Sequence, residues 1–434
     1  MPWHGPRVSR SGRSFQDRLL RCSPRAGGLM RSVRRSPLLT GFSLAFVPLV
    51  VLLVPSDARR DPDTGKVRVL YIGDYSAASP YPIMEAEPTI SLHFAWPTAL
   101  EGLSHELAKK MFRQYIPRTY SKIAENDAMI ISDADASIFE DRHYQWFRDA
   151  VAVGGSGLVM IGGNGGFGGQ APNPSWGNTV VQDILPVWCL AGVVTGGRVE
   201  ILEPEHELLA PFPLEKRWPW MTEFRGNAVT VRAEAQLLAD LVEPAGAHYP
   251  LWATWDVGAG RCFAMTCDWT PAGGVIFMRW PYYGDFAVNL MMYLSGNPIP
   301  SDLETVHKAR AMYLDYRSAR AYLFSVVDFA EKLGANTGLI SGMVAEADGK
   351  HEESVDLYVD FEFEASMVPL EAAMGDLRRA TAKAMKLKDQ AMLWIYLIEW
   401  SVVTATLAVG GFVLWSLMVR RRLYREVGGT KFVR

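Results

Sequence analysis

Chemistry in this chain is most expected at a glycine-rich loop that follows a short apolar run. Leu158–Ile161 leads directly into GGNGGFGG, residues 162–169. Glycine lets the backbone turn sharply or approach a ligand closely. In an open α/β sheet, sites are usually built on the loops at the carboxyl ends of parallel strands. The candidate ligand-binding residues of this loop are Gly162, Gly163, Asn164 and Gly165.

Four aspartates, Asp74, Asp133, Asp135 and Asp268, also fall at the ends of predicted strands, and Asp74, Asp133 and Asp268 are the candidate ligand-binding residues among them. Carboxylates that converge on one crevice could serve as acid and base or bind a divalent cation. The favoured alternative is that each carboxylate caps a loop or helix by accepting hydrogen bonds from free backbone N–H groups. We therefore retain the aspartates as candidate ligand-binding residues and predict no metal site.

The loop also contains the spacing Gly163-x-Gly165-x-x-Gly168, which matches the dinucleotide-binding pattern. Phosphate binding in that motif requires a helix that begins immediately afterwards, because its free N–H groups hold the pyrophosphate. Here residues 170–174 read QAPNP, which does not favour the start of a helix. No nucleotide and no other cofactor is predicted.

The elements that must position these residues alternate between strand and helix. Buried strands are predicted at Val67–Gly73, Ala128–Ser132 and Leu158–Ile161, and amphipathic helices at Thr98–Gln114 and His143–Val153. This order is typical of a mostly parallel sheet with helices on both faces. Residues 76–96 are predicted to be irregular, residues 198–268 an antiparallel extension of the sheet, and Thr179–Leu185 and Phe286–Tyr293 further helices.

Six segments that occur in order from about Val67 to Gly296 resemble a known family. They read VRVLYIGDYS, AMIISDADA, GGSGLVMIGGNGGFGG, DILPV, EPEHELL and GAGRCFAMTCDWTP. The chain is similar to the glutamine-amidotransferase-like domains, relatives of class I amidotransferases that are often found in bacterial membrane-associated proteins. The resemblance implies a flavodoxin-like α/β fold over residues 67–296. In a working enzyme of this kind it also implies a nucleophilic cysteine on a Gly-x-Cys-x-Gly turn, with a histidine and an acid late in the domain.

The chain departs from that pattern at the turn that would carry the nucleophile. Residues 162–166 read GGNGG, without Cys, Ser or Thr, and the late segment CDWTP has no histidine. His206 in EPEHELL is expected to be a capping or loop residue. Because the reaction needs a thiolate within reach of a base, we predict no catalytic residues and a pseudoenzyme without a Cys–His–Glu triad.

Two apolar runs predict association with a bilayer. Residues 37–55 follow an arginine-rich arm, residues 1–36, that is predicted to be disordered. This run is interpreted as a transmembrane signal anchor, with a cleaved signal peptide starting at Met1 or Met30 as the alternative. Residues 392–419 are predicted to be a transmembrane helix followed by a basic tail, residues 420–434. The positive-inside rule places both termini in the cytoplasm and residues 59–391 outside it.

Residues 301–391 are charged and have helical apolar spacing, so we predict a helical stalk that could also pack on a partner. Cys189, Cys262 and Cys267 lack metal-ligand spacing and are expected to be small core residues. The exported part has no basic stripe interleaved with aromatic residues, which disfavours nucleic acid as a partner.

The resulting hypothesis is a membrane-anchored, non-catalytic domain that binds a ligand or a protein partner within a bacterial envelope complex. The alternative is an extracytoplasmic hydrolase or metal-assisted enzyme that uses the aspartates at the strand ends.

Overall fold

The computed structural model describes residues 58–73, 78–95, 105–170, 173–214, 225–271 and 274–429. The predictions for the basic arm, for the apolar run 37–55 and for Asp74 therefore lie outside the described residues.

The described residues form ten strands in two sheets. They are β1 (Val67–Gly73), β2 (Ile90–Ala95), β3 (Ala128–Ser132), β4 (Gly157–Ile161), β5 (Val187–Thr195), β6 (Arg198–Ile201), β7 (Arg225–Val231), β8 (Gln236–Val242), β9 (His248–Val257) and β10 (Gly260–Met265). The main sheet has the order β2-β1-β3-β4-β10-β9-β8-β6, and β5 pairs with β7 in a small second sheet. Neighbours from β2 to β10 are parallel, whereas β9, β8 and β6 add an antiparallel extension.

Nine α-helices accompany the sheets in the part of the chain that is described. They are α1 (Tyr81–Ala86), α2 (His105–Tyr115), α3 (Tyr120–Ala124), α4 (Asp141–Ala152), α5 (Val275–Met278), α6 (Tyr283–Leu294), α7 (Leu303–Lys332), α8 (Gly338–Val359) and α9 (Phe363–Gly429). Every residue of α6 is buried against one face of the main sheet, and Phe147 and Val151 of α4 join the core on the other face. The predicted mixed α/β class with a mostly parallel sheet is confirmed.

Several local predictions need correction. Residues 76–96 were expected to be irregular, but they contain α1 and the edge strand β2. Only the two ends of β2 are buried, because one of its edges has no neighbouring strand, so it lacks the continuous apolar run of a central strand. The short helix expected at Thr179–Leu185 is present as a 3₁₀ helix over Val180–Ile184. Of the helix expected at Thr98–Gln114, the described residues are those of α2, His105–Tyr115.

Helices α7, α8 and the first part of α9 pack into a bundle with its own core. Among its buried side chains are Leu323, Val327, Ile340 and Leu377. Beyond the bundle, α9 continues without interruption to a length of 67 residues. It is the one helix in the described part of the chain that is long and apolar enough to cross a membrane.

A buried charge cluster joins this bundle to the α/β domain. The Arg310 guanidinium on α7 lies 2.9 Å from Glu87 Oε2 and 3.0 Å from Asp285 Oδ1. All three side chains are at most 5% exposed. Breaking the cluster would leave charged side chains buried without a partner. The cluster therefore stabilises the packing of α7 against α6 and against the end of α1.

Candidate functional site

The glycine loop after β4 packs tightly against the ends of the neighbouring strands. A Cβ atom on Gly162 would lie 1.9 Å from the Thr266 carbonyl oxygen, just beyond β10. A Cβ atom on Gly163, whose φ is +146°, would lie 2.2 Å from Cγ of Asp133. The glycines are therefore required for the close approach of loop and strand ends, independently of any ligand.

Asn227 on β7 holds the loop from the opposite side. The Gly163 N–H donates to Asn227 Oδ1 at 2.9 Å. In return, Asn227 Nδ2 donates to the carbonyl oxygens of Gly163 at 3.0 Å and Gly166 at 3.3 Å. Asn227 is buried. This residue was not identified in the sequence, because a single asparagine inside a strand carries no local signal of contact with a loop 60 residues earlier.

Asp133 caps the same loop from the end of β3. It has a left-handed backbone, with φ of 45°, and its Oδ1 accepts a hydrogen bond from the Gly165 N–H at 2.5 Å. Asp and Asn tolerate this conformation better than most residues. Its carboxylate therefore has the capping role that the sequence analysis favoured.

Asp268 closes the turn that follows β10. Its Oδ1 accepts a hydrogen bond from the Thr270 N–H at 2.8 Å, and its Oδ2 accepts one from Thr270 Oγ1 at 2.9 Å. The residue is only 6% exposed. Both oxygens thus satisfy donors of a local turn, as an Asx turn requires.

A small cavity of about 80 Å³ lies between these elements. Its lining residues are Asp133, Gly163, Asn164, Gln170, Val193, Arg225, Gly226, Asn227, Thr266 and Asp268. Four of the predicted residues are therefore brought together, whereas Gly162 and Gly165 belong to the loop but do not line the cavity. Sequence reasoning missed Arg225, Asn227 and Thr266, which come from β7 and from the end of β10.

No nucleophile occupies the turn where a class I amidotransferase would place one. That position is Asn164, whose side chain is exposed. Thr266 has a hydroxyl beside the cavity, but Oγ1 donates to the Pro250 carbonyl oxygen at 2.8 Å. No histidine lines the cavity in the described part of the chain.

Cys267 does not replace the missing nucleophile. Its side chain is fully buried in the core beside α6, and burial raises the pKa of the thiol well above its usual range. A buried thiol in apolar surroundings stays protonated and unreactive. Cys189 and Cys262 are also free thiols, and burial raises the pKa of Cys189 to about 12.

The histidine of EPEHELL has a structural role in its turn. His206 Nδ1 accepts a hydrogen bond from the Leu208 N–H at 3.3 Å, and Nε2 lies 3.4 Å from the Tyr293 hydroxyl. Burial lowers its pKa, so the neutral ring is favoured. Among the described residues, no group of three or more His, Cys, Asp or Glu side chains is arranged to hold a metal ion.

A mostly parallel sheet covered on both faces, with a glycine turn after β4, is the α/β architecture that the resemblance implies. The family model described as "Putative glutamine amidotransferase" matches residues 102–296. The chain therefore contains a glutamine-amidotransferase-like domain, as the resemblance predicted.

Among the solved structures that match part of the chain are two from Salmonella. The chain is 20% identical to Cytoplasmic Protein STM3548 from Salmonella typhimurium, with 52% of this chain and 99% of that chain covered and a TM-score of 0.42. It is 22% identical to Cytoplasmic Protein STM1381 from Salmonella typhimurium LT2, with 52% and 99% covered and a TM-score of 0.41. No curated protein matches the sequence.

Proposed function

We propose that this chain is a membrane-anchored, non-catalytic member of the amidotransferase-like group that binds a small polar ligand and acts as a binding or scaffolding component of a bacterial envelope complex. The proposal rests on the residue types and the hydrogen bonds of the glycine loop that follows β4. Asn164 stands where a nucleophile is needed, and the neighbouring backbone donors are already engaged.

Acyl transfer needs free N–H groups beside the nucleophile, because they stabilise the oxyanion that forms in the transition state. In this loop the Gly163 N–H donates to Asn227 and the Gly165 N–H donates to Asp133. A reacting carbonyl would have to displace both partners. The loop is therefore suited to hold its own shape and unsuited to amide hydrolysis.

The side chains around the cavity nevertheless favour a small charged ligand. Asp133 and Asp268 provide negative charge, and Arg225 provides an exposed guanidinium without an ion pair to any described residue. Charge-assisted hydrogen bonds to such groups are stronger than neutral ones. We infer that the ligand is a small zwitterion of the amino-acid class, with its ammonium group towards the carboxylates and its carboxylate towards Arg225.

Binding can be tested by thermal unfolding of the full-length protein in detergent with single amino acids. A ligand at one hundred times its Kd stabilises the native state by about 2.7 kcal/mol, so the melting temperature is expected to rise by a few degrees. Arg225→Gln should abolish the rise. The matched control is Arg198→Gln, an exposed arginine on β6 that does not line the cavity. An unchanged melting temperature with every amino acid would reject this ligand class.

The hydrolase remains a second candidate, because Asp133 and Asp268 line the same cavity. Two carboxylates in one pocket can divide the roles of acid and base. This alternative predicts turnover of an amide or ester substrate that is lost in Asp133→Asn. Ammonia release from glutamine by the purified wild-type protein, lost in the same variant, would overturn the non-catalytic proposal.

The scaffolding role predicts stable partners. Affinity purification from solubilised membranes is expected to recover the same envelope proteins from wild type and from Asp133→Asn, because the proposed contact does not depend on chemistry at the cavity. Reproducible recovery of the chain alone would argue against a scaffold.

A further inference from the structure

The packing of the bundle fixes the height of each of its residues relative to the apolar part of α9. The Tyr313 hydroxyl on α7 is hydrogen-bonded to Ser354 Oγ on α8. Ser354 Oγ in turn donates to the Ser366 carbonyl oxygen on α9 at 2.8 Å. These three residues are at one level, close to the charge cluster that joins the bundle to the α/β domain, since Tyr358 also reaches Glu87.

The turn between α7 and α8 lies at the opposite end of the bundle. Lys332, the last residue of α7, lies 19 residues beyond Tyr313, and Leu339 on α8 lies 15 residues before Ser354. An α-helix rises about 1.5 Å per residue, so these two residues are roughly 28 Å and 22 Å from that level. The same rise along α9 leads from Ser366 to residues 381–385. The α7–α8 turn is therefore level with this part of α9, about two to three helical turns before Leu393, where the continuous stretch of exposed apolar side chains begins.

The burial of side chains along α9 also shows where the bundle ends. Ala384 is fully buried in the bundle, and Leu387 packs partly against its core. From Leu393 to Leu423 most of the large apolar side chains of α9 are exposed. The bundle thus ends where the candidate membrane-spanning segment starts.

The α7–α8 turn has a composition suited to a bilayer surface. Residues 333–340 read LGANTGLI and contain no charged side chain, and Leu339 is 76% exposed. Lys383 and Lys386, on the turns of α9 at this level, are exposed and form no ion pair with a described residue. Apolar side chains insert at the headgroup–acyl boundary, and nearby lysines attract anionic headgroups.

We propose that the α7–α8 turn, centred on Leu339, contacts the anionic surface of the bilayer that α9 enters. The bundle then touches the membrane at two places, the helix and the turn, and holds the level of Tyr313, where the bundle meets the α/β domain, about 25 Å from the surface. This inference depends on the membrane anchoring by α9 that is part of the proposed function.

The test uses the full chain with Cys22→Ser, reconstituted in vesicles of phosphatidylcholine and phosphatidylglycerol, and single cysteines labelled with an environment-sensitive fluorophore. Cys262 and Cys267 are fully buried, and burial raises the pKa of Cys189 to about 12, so the native thiols should label slowly. The label is placed at Leu339→Cys. Val368→Cys is the matched control, because Val368 is 72% exposed on α9 at the opposite end of the bundle.

Quenching by lipids that carry a spin label near the headgroup is expected at position 339 and not at position 368. Replacing Lys383 and Lys386 by glutamine should reduce the quenching at 339. A third label, at Val409→Cys, reports whether α9 itself enters the bilayer. Quenching at 409 by deep spin labels without quenching at 339 would overturn only the contact of the turn, whereas no quenching at 409 would overturn the anchoring as well.

Discussion

Asn227 on β7 and Gly163 in the loop after β4 are joined by hydrogen bonds. Asn227 accepts one hydrogen bond from the loop and donates two to it, and it is buried while doing so. The positive φ of Gly163 brings its backbone against Asp133. These contacts hold the loop against β7 and against the end of β3.

Replacing Asn227 by leucine is expected to destabilise the α/β domain. The change removes the hydrogen-bond partner of the Gly163 N–H and of the Gly163 carbonyl oxygen, whereas the Gly166 carbonyl oxygen keeps the Gly169 N–H as a donor. A buried group left without a partner costs about 1–3 kcal/mol. Denaturant unfolding followed by fluorescence measures the difference. Asn164→Ala is the control, because Asn164 is exposed and should change the free energy of unfolding by less than about 0.5 kcal/mol.

The thiol of Cys267 is expected to resist alkylation in the native protein. It is fully buried, and its pKa is raised by burial, so little thiolate forms at pH 8. Iodoacetamide followed by peptide mass spectrometry should find Cys267 unmodified until the protein is denatured. Faster labelling of Cys267 than of the half-buried Cys189 would instead indicate an activated cysteine.

The residues that sequence reasoning identified at this site share one property. Asp133, Gly163, Asn164 and Asp268 all follow predicted strands, and the carboxyl ends of parallel strands meet at one edge of the sheet. Arg225 and Asn227 come from a strand of the second sheet. Their approach depends on how β7 packs against the glycine loop, and no local pattern encodes that contact.

At the scale of elements, burial on both sides explains which strands could be predicted. β3 and β4 are buried at every position, so they appear in the sequence as continuous apolar runs. The edge strand β2 is buried only at its ends, and its mixed sequence ISLHFA resembles a loop. The edge of a sheet is therefore the part that composition reveals least.

The joint between bundle and domain is also an element-scale feature, and it predicts a large mutational effect. Arg310→Met is expected to destabilise the protein by about 3–5 kcal/mol, because Glu87 and Asp285 would remain buried without a cation. Calorimetry or denaturant unfolding measures this loss.

A matched control lies on the same helix. Arg317 pairs with Glu85 of α1, but both side chains are partly exposed, at 42% and 35%. Arg317→Met should therefore cost less than about 1 kcal/mol. Equal effects of the two substitutions would show that the buried cluster does not hold the joint.

At the scale of the whole molecule, the sequence indicates the α/β domain, a helical region and an apolar helix through their different periodicities. The sequence did not predict that α7, α8 and α9 share one core, because each helix is also a plausible surface helix by itself. The shared register of Tyr313, Ser354 and Ser366 depends on tertiary packing. The distance from the apolar segment of α9 to the α/β domain is therefore set by how the three helices pack together, and not by the length of any one helix.

The stability of the whole molecule is expected to decrease as the pH falls below 7. Burial lowers the pKa of His143 on α4, His206 in its turn and His351 on α8. Between each lowered pKa and the unfolded value of about 6.5, the unfolded chain binds more protons, so acidification favours unfolding and stability is recovered as the pH rises. Melting temperatures measured from pH 7.5 to 5.5 should fall, and His351→Gln should make the decrease shallower.

His351 is informative because its ring stacks on Tyr316 with the ring centroids 4.4 Å apart, a contact that a neutral imidazole maintains without a counter-ion. An identical pH dependence in wild type and variant would mean that this histidine does not contribute to the acid sensitivity.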